Sequence, residues 1–177
     1  MTRIFIRALR RLLRRENGTA TVEFVMAAPL VIFTFLAAFE SGVYMMRYIL
    51  LDRALDITIR DLRLGLIPTP ALAVLKDDIC DRMHMVSECT DVLKLEMFSV
   101  NTTTWAFPTA EMECIDRGQP ISPVDEPALG TSNEIMLIRA CLTADALFPT
   151  SKLAAGMQQD ANGGYFVVAM SGFANEP

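Results

Sequence analysis

The feature that most constrains the fold of this chain is an apolar run of 23 residues near its N-terminus, residues 24–46. Glu40 is the one charged residue in the run. As an α-helix it is about 35 Å long, which exceeds the hydrocarbon core of a bilayer at about 30 Å. A helix at the surface of a soluble core is usually apolar on one side only. We therefore predict a transmembrane helix that includes Phe24, Pro29, Phe39 and Glu40.

Two targeting sequences are alternatives to a membrane span. A cleaved secretory signal has an apolar core of about 7–15 residues and ends in small residues. The uncharged part of the run is close to that length, but Phe39 and Glu40 stand where the small residues are needed. A mitochondrial transit peptide would explain the Arg-rich N-terminus, and it fits less well with a long apolar run beside it.

The charge of the chain is distributed unevenly on the two sides of the apolar run. Residues 1–18 contain six Arg and one Glu, which gives them a net charge of +5. The rest of the 177 residues carry −10, and the whole chain −5. Basic residues stay on the cytoplasmic side of a membrane, so this asymmetry predicts a cytoplasmic leader and an outward, periplasmic C-terminal part. The acidic total is unfavourable for binding nucleic acid, and we expect no such partner.

The helix is predicted to continue beyond the apolar run to residue 64. Apolar residues recur there at intervals of three or four, which is typical of a helix with one buried face. These residues are Leu51, Leu55, Ile59 and Leu62. Gly65, with prolines soon after it, marks the end of the helix. Inside the span, Pro29 predicts a kink or a local break in hydrogen bonding.

The C-terminal part is predicted to be a small α+β domain. A second helix starting at Thr69-Pro70 has one apolar face, and alternating residues from 93 to 97 indicate a half-buried strand. Residues 134–142 and 165–170 are apolar runs of strand length, and Asn162-Gly163-Gly164 suits a hairpin or a tight start to the latter. Pro108 and residues 118–130 are predicted to be loop. We expect a short antiparallel sheet beside one helix. The predicted division is a leader (1–18), a transmembrane and stalk helix (19–65) and a periplasmic domain (66–177).

All four cysteines lie in the C-terminal part, where disulfides would form in an oxidising periplasm. Four cysteines allow three pairings, and we favour Cys80–Cys89, which is short-range, with Cys114–Cys141, which would join two strands. A metal site is the alternative. No C-x-x-C pair occurs, however, and the one histidine, His84, has no histidine partner. We expect neither a metal nor another cofactor.

A carboxylate stands at the border between the basic leader and the apolar run. A charge at the bilayer centre costs about 2.5–3.5 kcal/mol, so a charge near that depth usually has a use. If the chain were cut after Gly18, Thr19 would gain a free α-amino group one helical turn from Glu23. Glu23 would then pair with that amine or with the amine of a neighbouring subunit. The alternative is that Glu23 only reaches into water at the interface.

The basic leader followed by Gly18-x-x-x-x-Glu23 resembles the cleavage site of type IV prepilins. The wider stretch GTATVEFVMAAPL, with Phe39-Glu40-Ser41-Gly42 closing the span, resembles TadE/TadG-like pseudopilins, the minor pilins of tight-adherence (Flp) pilus systems. The resemblance covers about residues 14–65. Major Flp pilins usually have Tyr after the glutamate, whereas this chain has Phe24, and it is far longer than they are. The greater length favours the minor class.

The resemblance implies a structural, non-catalytic protein of the bacterial inner membrane. A prepilin peptidase would cut after Gly18, and the partners would be other pilin or pseudopilin subunits and the Tad secretion machinery. Glu23 would be neutralised by its own amine or by an adjacent subunit, whereas Glu40 is expected to reach into water at the outer interface. An uncleaved single-pass anchor that scaffolds a secretion or pilus machinery is the second hypothesis. A membrane-tethered enzyme is the third, and no catalytic motif supports it.

Overall fold

A long helix and a three-stranded antiparallel sheet make up most of the structure, which confirms the predicted α+β class. The structure, a computed structural model, describes residues 19–67, 71–84, 86–100, 102–105, 112–118, 134–149 and 156–174. In chain order the elements are α1 (Thr19–Arg63), α2 (Leu72–Arg82), α3 (Cys89–Val92), β1 (Leu93–Val100), β2 (Ile135–Asp145) and β3 (Gly164–Ala174).

The chain divides into two compact units, with the boundary between Phe39 and Glu40 inside α1. In the first unit, Pro29 lies within the helix and supplies no N–H to it. The hydroxyl of Thr34 donates to the carbonyl oxygen of Leu30 at 2.8 Å, close to the proline. The helix continues through Pro29, and the kink stays a prediction.

The second unit is built on the sheet, whose strand order is β1-β2-β3. Leu93 of β1 lies opposite Leu142 of β2, which lies opposite Val167 of β3. Because side chains alternate between the two faces of a strand, this register aligns three rows of apolar residues on one face. That face forms the apolar core together with residues of α1 and α2.

The predicted one-sided stripe of α1 is confirmed in the second unit. Leu51, Leu55 and Ile59 are buried, and Leu62 packs against the same core as a partly buried residue. The apolar face of the second helix is likewise buried at Leu72, Leu75 and Ile79. The helix begins at Leu72, while the predicted start at Thr69-Pro70 and the predicted loop around Pro108 lie outside the described residues. The four-residue helix α3 had no signal in the hydrophobic pattern.

A tight turn introduces β3 where the sequence predicts one. Gly163 has φ = 83°, a left-handed conformation that glycine adopts without strain, and its N–H donates to the carbonyl of Asp160. The Asp160 carboxylate accepts from the N–H of Gly164 at 2.6 Å and from Arg117 Nε at 2.6 Å. Burial raises the pKa of Asp160, but these hydrogen bonds outweigh it and the net pKa is lowered. The ionised carboxylate thus fixes the turn.

Two disulfides cross-link the second unit in the pairing that the sequence favours. Cys80–Cys89 joins α2 to α3, and Cys114–Cys141 joins residues 112–118 to the middle strand. Pairs that close longer loops remove more entropy from the unfolded chain. The sequence separations are 9 and 27 residues, so the second disulfide is expected to contribute more.

We expect replacement of Cys114 and Cys141 by alanine to lower the free energy of unfolding by about 3.5 kcal/mol. For Cys80 and Cys89 the expected loss is about 2.7 kcal/mol. Urea unfolding of the full chain in detergent micelles measures both. The two double variants serve as controls for each other, and an equal or larger loss in the Cys80/Cys89 variant would contradict this ranking.

Candidate functional site

The helix surface of the first unit is apolar and uncovered. Most of its large apolar side chains are more than half exposed, among them Phe24 at 71% and Phe39 at 55%. Across the described residues, α1 is the one helix long and apolar enough to cross a membrane. A helix in the core of a soluble protein would have its apolar side chains buried within the chain. Here the apolar surface needs lipid or another subunit to cover it.

Two of the residues predicted at the processing site, Thr19 and Glu23, lie at the start of this helix. Thr19 is the first residue of α1, and Glu23 is exposed one turn later. Gly18 lies outside the described residues. Of the predicted transmembrane residues, Phe24, Pro29 and Phe39 are exposed.

Glu40 has a different environment from the one expected of it. Its side chain is fully buried, so it does not reach into water. Oε1 accepts the N–H of Leu147 at 3.2 Å, and Oε2 accepts the N–H of Phe148 at 2.9 Å. A buried carboxylate is costly unless it is hydrogen-bonded, and two backbone donors supply that compensation. Glu40 therefore attaches α1 to the turn that follows β2.

Two turns further along α1, Arg47 makes a second attachment to the same end of the sheet. Its Nη1 donates to the carbonyl of Asp145 at 2.6 Å and also to the hydroxyl of Tyr165. The guanidinium lies 5.4 Å from the centre of the Tyr165 ring, and the Tyr44 ring lies 5.5 Å from that ring. Burial raises the pKa of Tyr165, while Arg47 opposes the shift. The phenol thus stays neutral and accepts the bond.

A third polar contact joins α1 to α2. Thr58 donates its hydroxyl to Asp78 Oδ2 at 2.6 Å, and Arg82 Nε donates to the same oxygen at 2.9 Å. Arg82 Nη2 also donates to Asp61 at 2.8 Å. The hydrogen bond from Arg82 lowers the pKa of Asp78, with partial burial opposing it and Thr58 adding to it. These contacts tie α1 to α2.

The lowered pKa of Asp78 predicts a loss of stability in acid. The unfolded carboxyl has the higher pKa, about 3.9, and binds protons more readily than the folded one. Asp78 therefore stabilises the fold above that pH, and its contribution is lost as the pH falls through the lowered folded value. We expect Asp78→Asn to flatten the fall in Tm between about pH 5 and pH 2. Asp77→Asn, at the exposed neighbouring position, is the control, and an equal flattening there would contradict the assignment.

Residues 18–60 match the family model described as TadE-like protein. This segment is TadE-like. The resemblance that the sequence predicts is thereby confirmed for the N-terminal part of the chain, which is less than half of it. No curated protein and no solved structure matches the chain.

The TadE-like match points to involvement in the Tad pilus system, and this pilus-associated family is generally structural and not catalytic. It begins at Gly18, contains Glu23, and runs through Glu40 and Arg47 to Arg60. The apolar helix within it indicates a membrane anchor. Within the described part of the chain, no group of three or more His, Cys, Asp or Glu is arranged to hold a metal ion.

Sequence reasoning missed the contacts of Glu40 and Arg47. A signal for them exists in the spacing of residues 40, 44, 47 and 51, which extends the predicted apolar stripe backwards at intervals of four, three and four. Polar side chains on a stripe of this kind require polar partners in the core.

Proposed function

We propose that the chain is a minor pilin or pseudopilin that contributes to the assembly of a Tad/Flp-type adhesive pilus. The observation that carries this is the position of the TadE-like segment on an uncovered apolar helix, attached to a disulfide-bonded unit. An enzyme would need a site with convergent reactive groups, whereas a fibre subunit needs a helix that other subunits cover.

We propose a single-pass topology in the bacterial inner membrane, with residues 1–18 in the cytoplasm and the domain at residues 66–177 in the periplasm. The six arginines of the leader support this orientation through the positive-inside rule. The two disulfides support it independently, because disulfides persist in an oxidising compartment.

The proposed processing event is cleavage between Gly18 and Thr19 by a prepilin peptidase on the cytoplasmic side. It would place the new α-amino group at the first residue of α1, one turn from the exposed Glu23. When the subunit leaves the membrane, neighbouring subunits would replace lipid around the helix. In that drier packing, Glu23 needs a cation, which its own amine or that of another subunit supplies.

We expect Glu23→Ala to leave membrane insertion intact and to remove the subunit from the fibre. Insertion depends on the apolar run, which this change leaves intact, whereas docking depends on the charge pair. Western blots of the membrane fraction and of sheared pili measure the two steps separately. Glu113→Ala, at an exposed carboxylate of the second unit, is the matched control. Normal incorporation of the Glu23 variant would refute the docking role.

The alternative function is an uncleaved single-pass protein that scaffolds a secretion or pilus machinery from the periplasmic side. The same contacts of Glu40 and Arg47 would serve such a scaffold equally well. The two functions differ in the N-terminus of the chain in cells, which is Thr19 for the pilin and Met1 for the scaffold.

A further inference from the structure

The turn after β2, residues 146–149, exposes an apolar surface. Its four residues are Ala146, Leu147, Phe148 and Pro149, and Leu147 is 51% exposed. A single exposed leucine has no special meaning in a folded protein. The position of Leu147 is significant, because hydrogen bonds fix its turn to one point of α1.

Three hydrogen bonds hold the turn in place. Glu40 accepts the N–H groups of Leu147 and Phe148, and Arg47 donates to the carbonyl of Asp145 just before the turn. The backbone of residues 147 and 148 is therefore within hydrogen-bond distance of the Glu40 carboxylate. A membrane surface that lies at the depth of Glu40 therefore lies close to Leu147.

The length of the preceding apolar segment sets the level of Glu40 in a membrane. Residues 20–39 form 20 residues of helix, about 30 Å, which is the thickness of the hydrocarbon core. They carry one charge, Glu23, close to their N-terminal end. If this segment crosses the bilayer, the outer edge of the hydrocarbon core lies at Phe39 and Glu40.

We propose that the turn at residues 146–149 is a second membrane contact, in which Leu147 enters the outer interface of the bilayer. The inference rests on the proposed membrane anchoring and adds a lipid-binding surface to the second unit. Lipid is the occupant because the turn is held where the apolar span ends, and that end is surrounded by lipid in an anchored subunit. The carboxylate of Asp145, 72% exposed and bonded to Arg117, keeps the contact shallow.

The same contact explains why Glu40 is tolerated at this depth. Near the hydrocarbon, an unpaired carboxylate and two free backbone N–H groups would each be costly. Because the Glu40 carboxylate accepts both N–H groups, neither the charge nor the donors are left unpaired. The apolar side chain of Leu147 is then exposed to lipid. The transmembrane segment then ends at Phe39, seven residues before the end predicted from the sequence.

The test uses the full chain with Trp105→Phe, which removes the one natural tryptophan. A single tryptophan is then placed by Leu147→Trp in the turn, by Phe33→Trp in the span, or by Met170→Trp on β3. Met170 is exposed and lies six residues along the strand from Gly164, the partner of Asp145, or about 20 Å. Each variant is reconstituted in dioleoylphosphatidylcholine vesicles with and without bromine on the acyl chains, and quenching of the emission is measured.

We expect strong quenching at position 33, clear quenching with blue-shifted emission at 147, and none at 170. Quenching at 33 without quenching at 147 would overturn this inference and leave the membrane anchor standing, whereas absent quenching at 33 would overturn the anchor itself. A blue shift at 147 that bromine does not quench would show that a second subunit covers the turn, which also contradicts the proposal. Equal quenching at 147 and 170 would contradict a contact specific to the turn. If Leu147→Trp fails to fold, Pro149→Trp, at another exposed position of the turn, is expected to give the same quenching.

Discussion

Replacing Gly18 by valine is expected to leave the chain at its full precursor length, with no product that starts at Thr19. A peptidase that cuts beside glycine holds the backbone closely, and a branched side chain on that residue occupies the space the enzyme needs. The apolar run is unchanged, so the precursor still enters the membrane. Intact-mass measurement of the membrane-extracted chain distinguishes the two lengths, which differ by 18 residues.

The matched control for this change is Gly42→Val. Gly42 lies inside α1, and a Cβ atom at that position meets no other atom within 4 Å. The control variant carries the same substitution in the same chain and is expected to be processed as the unchanged protein is. Processing of the Gly18 variant at the rate of the control would refute cleavage at this glycine.

Replacing Glu40 by alanine is expected to lower the free energy of unfolding of the second unit by about 3–5 kcal/mol. The change removes the acceptor for the N–H groups of Leu147 and Phe148 and leaves a cavity where a fully buried side chain was. Each unsatisfied buried donor costs about 1–3 kcal/mol. Urea unfolding of the full chain in detergent micelles, followed by near-ultraviolet circular dichroism, measures the loss.

Hydrogen exchange separates this local contact from a general loss of stability. In Glu40→Gln, one amide oxygen still accepts while the NH₂ group faces a backbone donor, so an intermediate loss of about 1–3 kcal/mol is expected. The amides of residues 147 and 148 should exchange faster than those of β2, which are held in the sheet ladder. Glu113→Gln, at an exposed position, is the control. Unchanged protection at Leu147 and Phe148 in the Glu40→Ala variant would contradict the attachment.

Local sequence patterns predicted the elements of this fold well, because periodicity reports which faces of a helix or strand are buried. The stripe at Leu51, Leu55 and Ile59 and the alternation from Leu93 to Met97 are both present in the core. The start of β3 was marked by Gly163, where glycine is needed for a positive φ. The cysteine pairing followed from short-range spacing and from the expected position of two strands.

Contacts between residues distant in sequence could not be predicted in the same way. Glu40 lies 107 residues from Leu147, and Arg47 lies 118 residues from Tyr165. From sequence alone, a carboxylate within an apolar run can be exposed at an interface or buried and hydrogen-bonded. Only the packing of the end of the sheet against α1 decides between these two environments. Asp78 is a partly similar case, because Thr58 becomes its neighbour through the packing of two helices, whereas Arg82 lies four residues along the same helix.

The central claim is that the TadE-like segment is the processed stem of a pilus subunit. The most direct measurement is the N-terminal residue of the chain recovered from pili sheared off the cells that naturally make it, determined by mass spectrometry of the N-terminal peptide. We expect a chain that starts at Thr19 and is present in the fibre fraction. A chain that retains Met1 and its six leader arginines within assembled pili would contradict it.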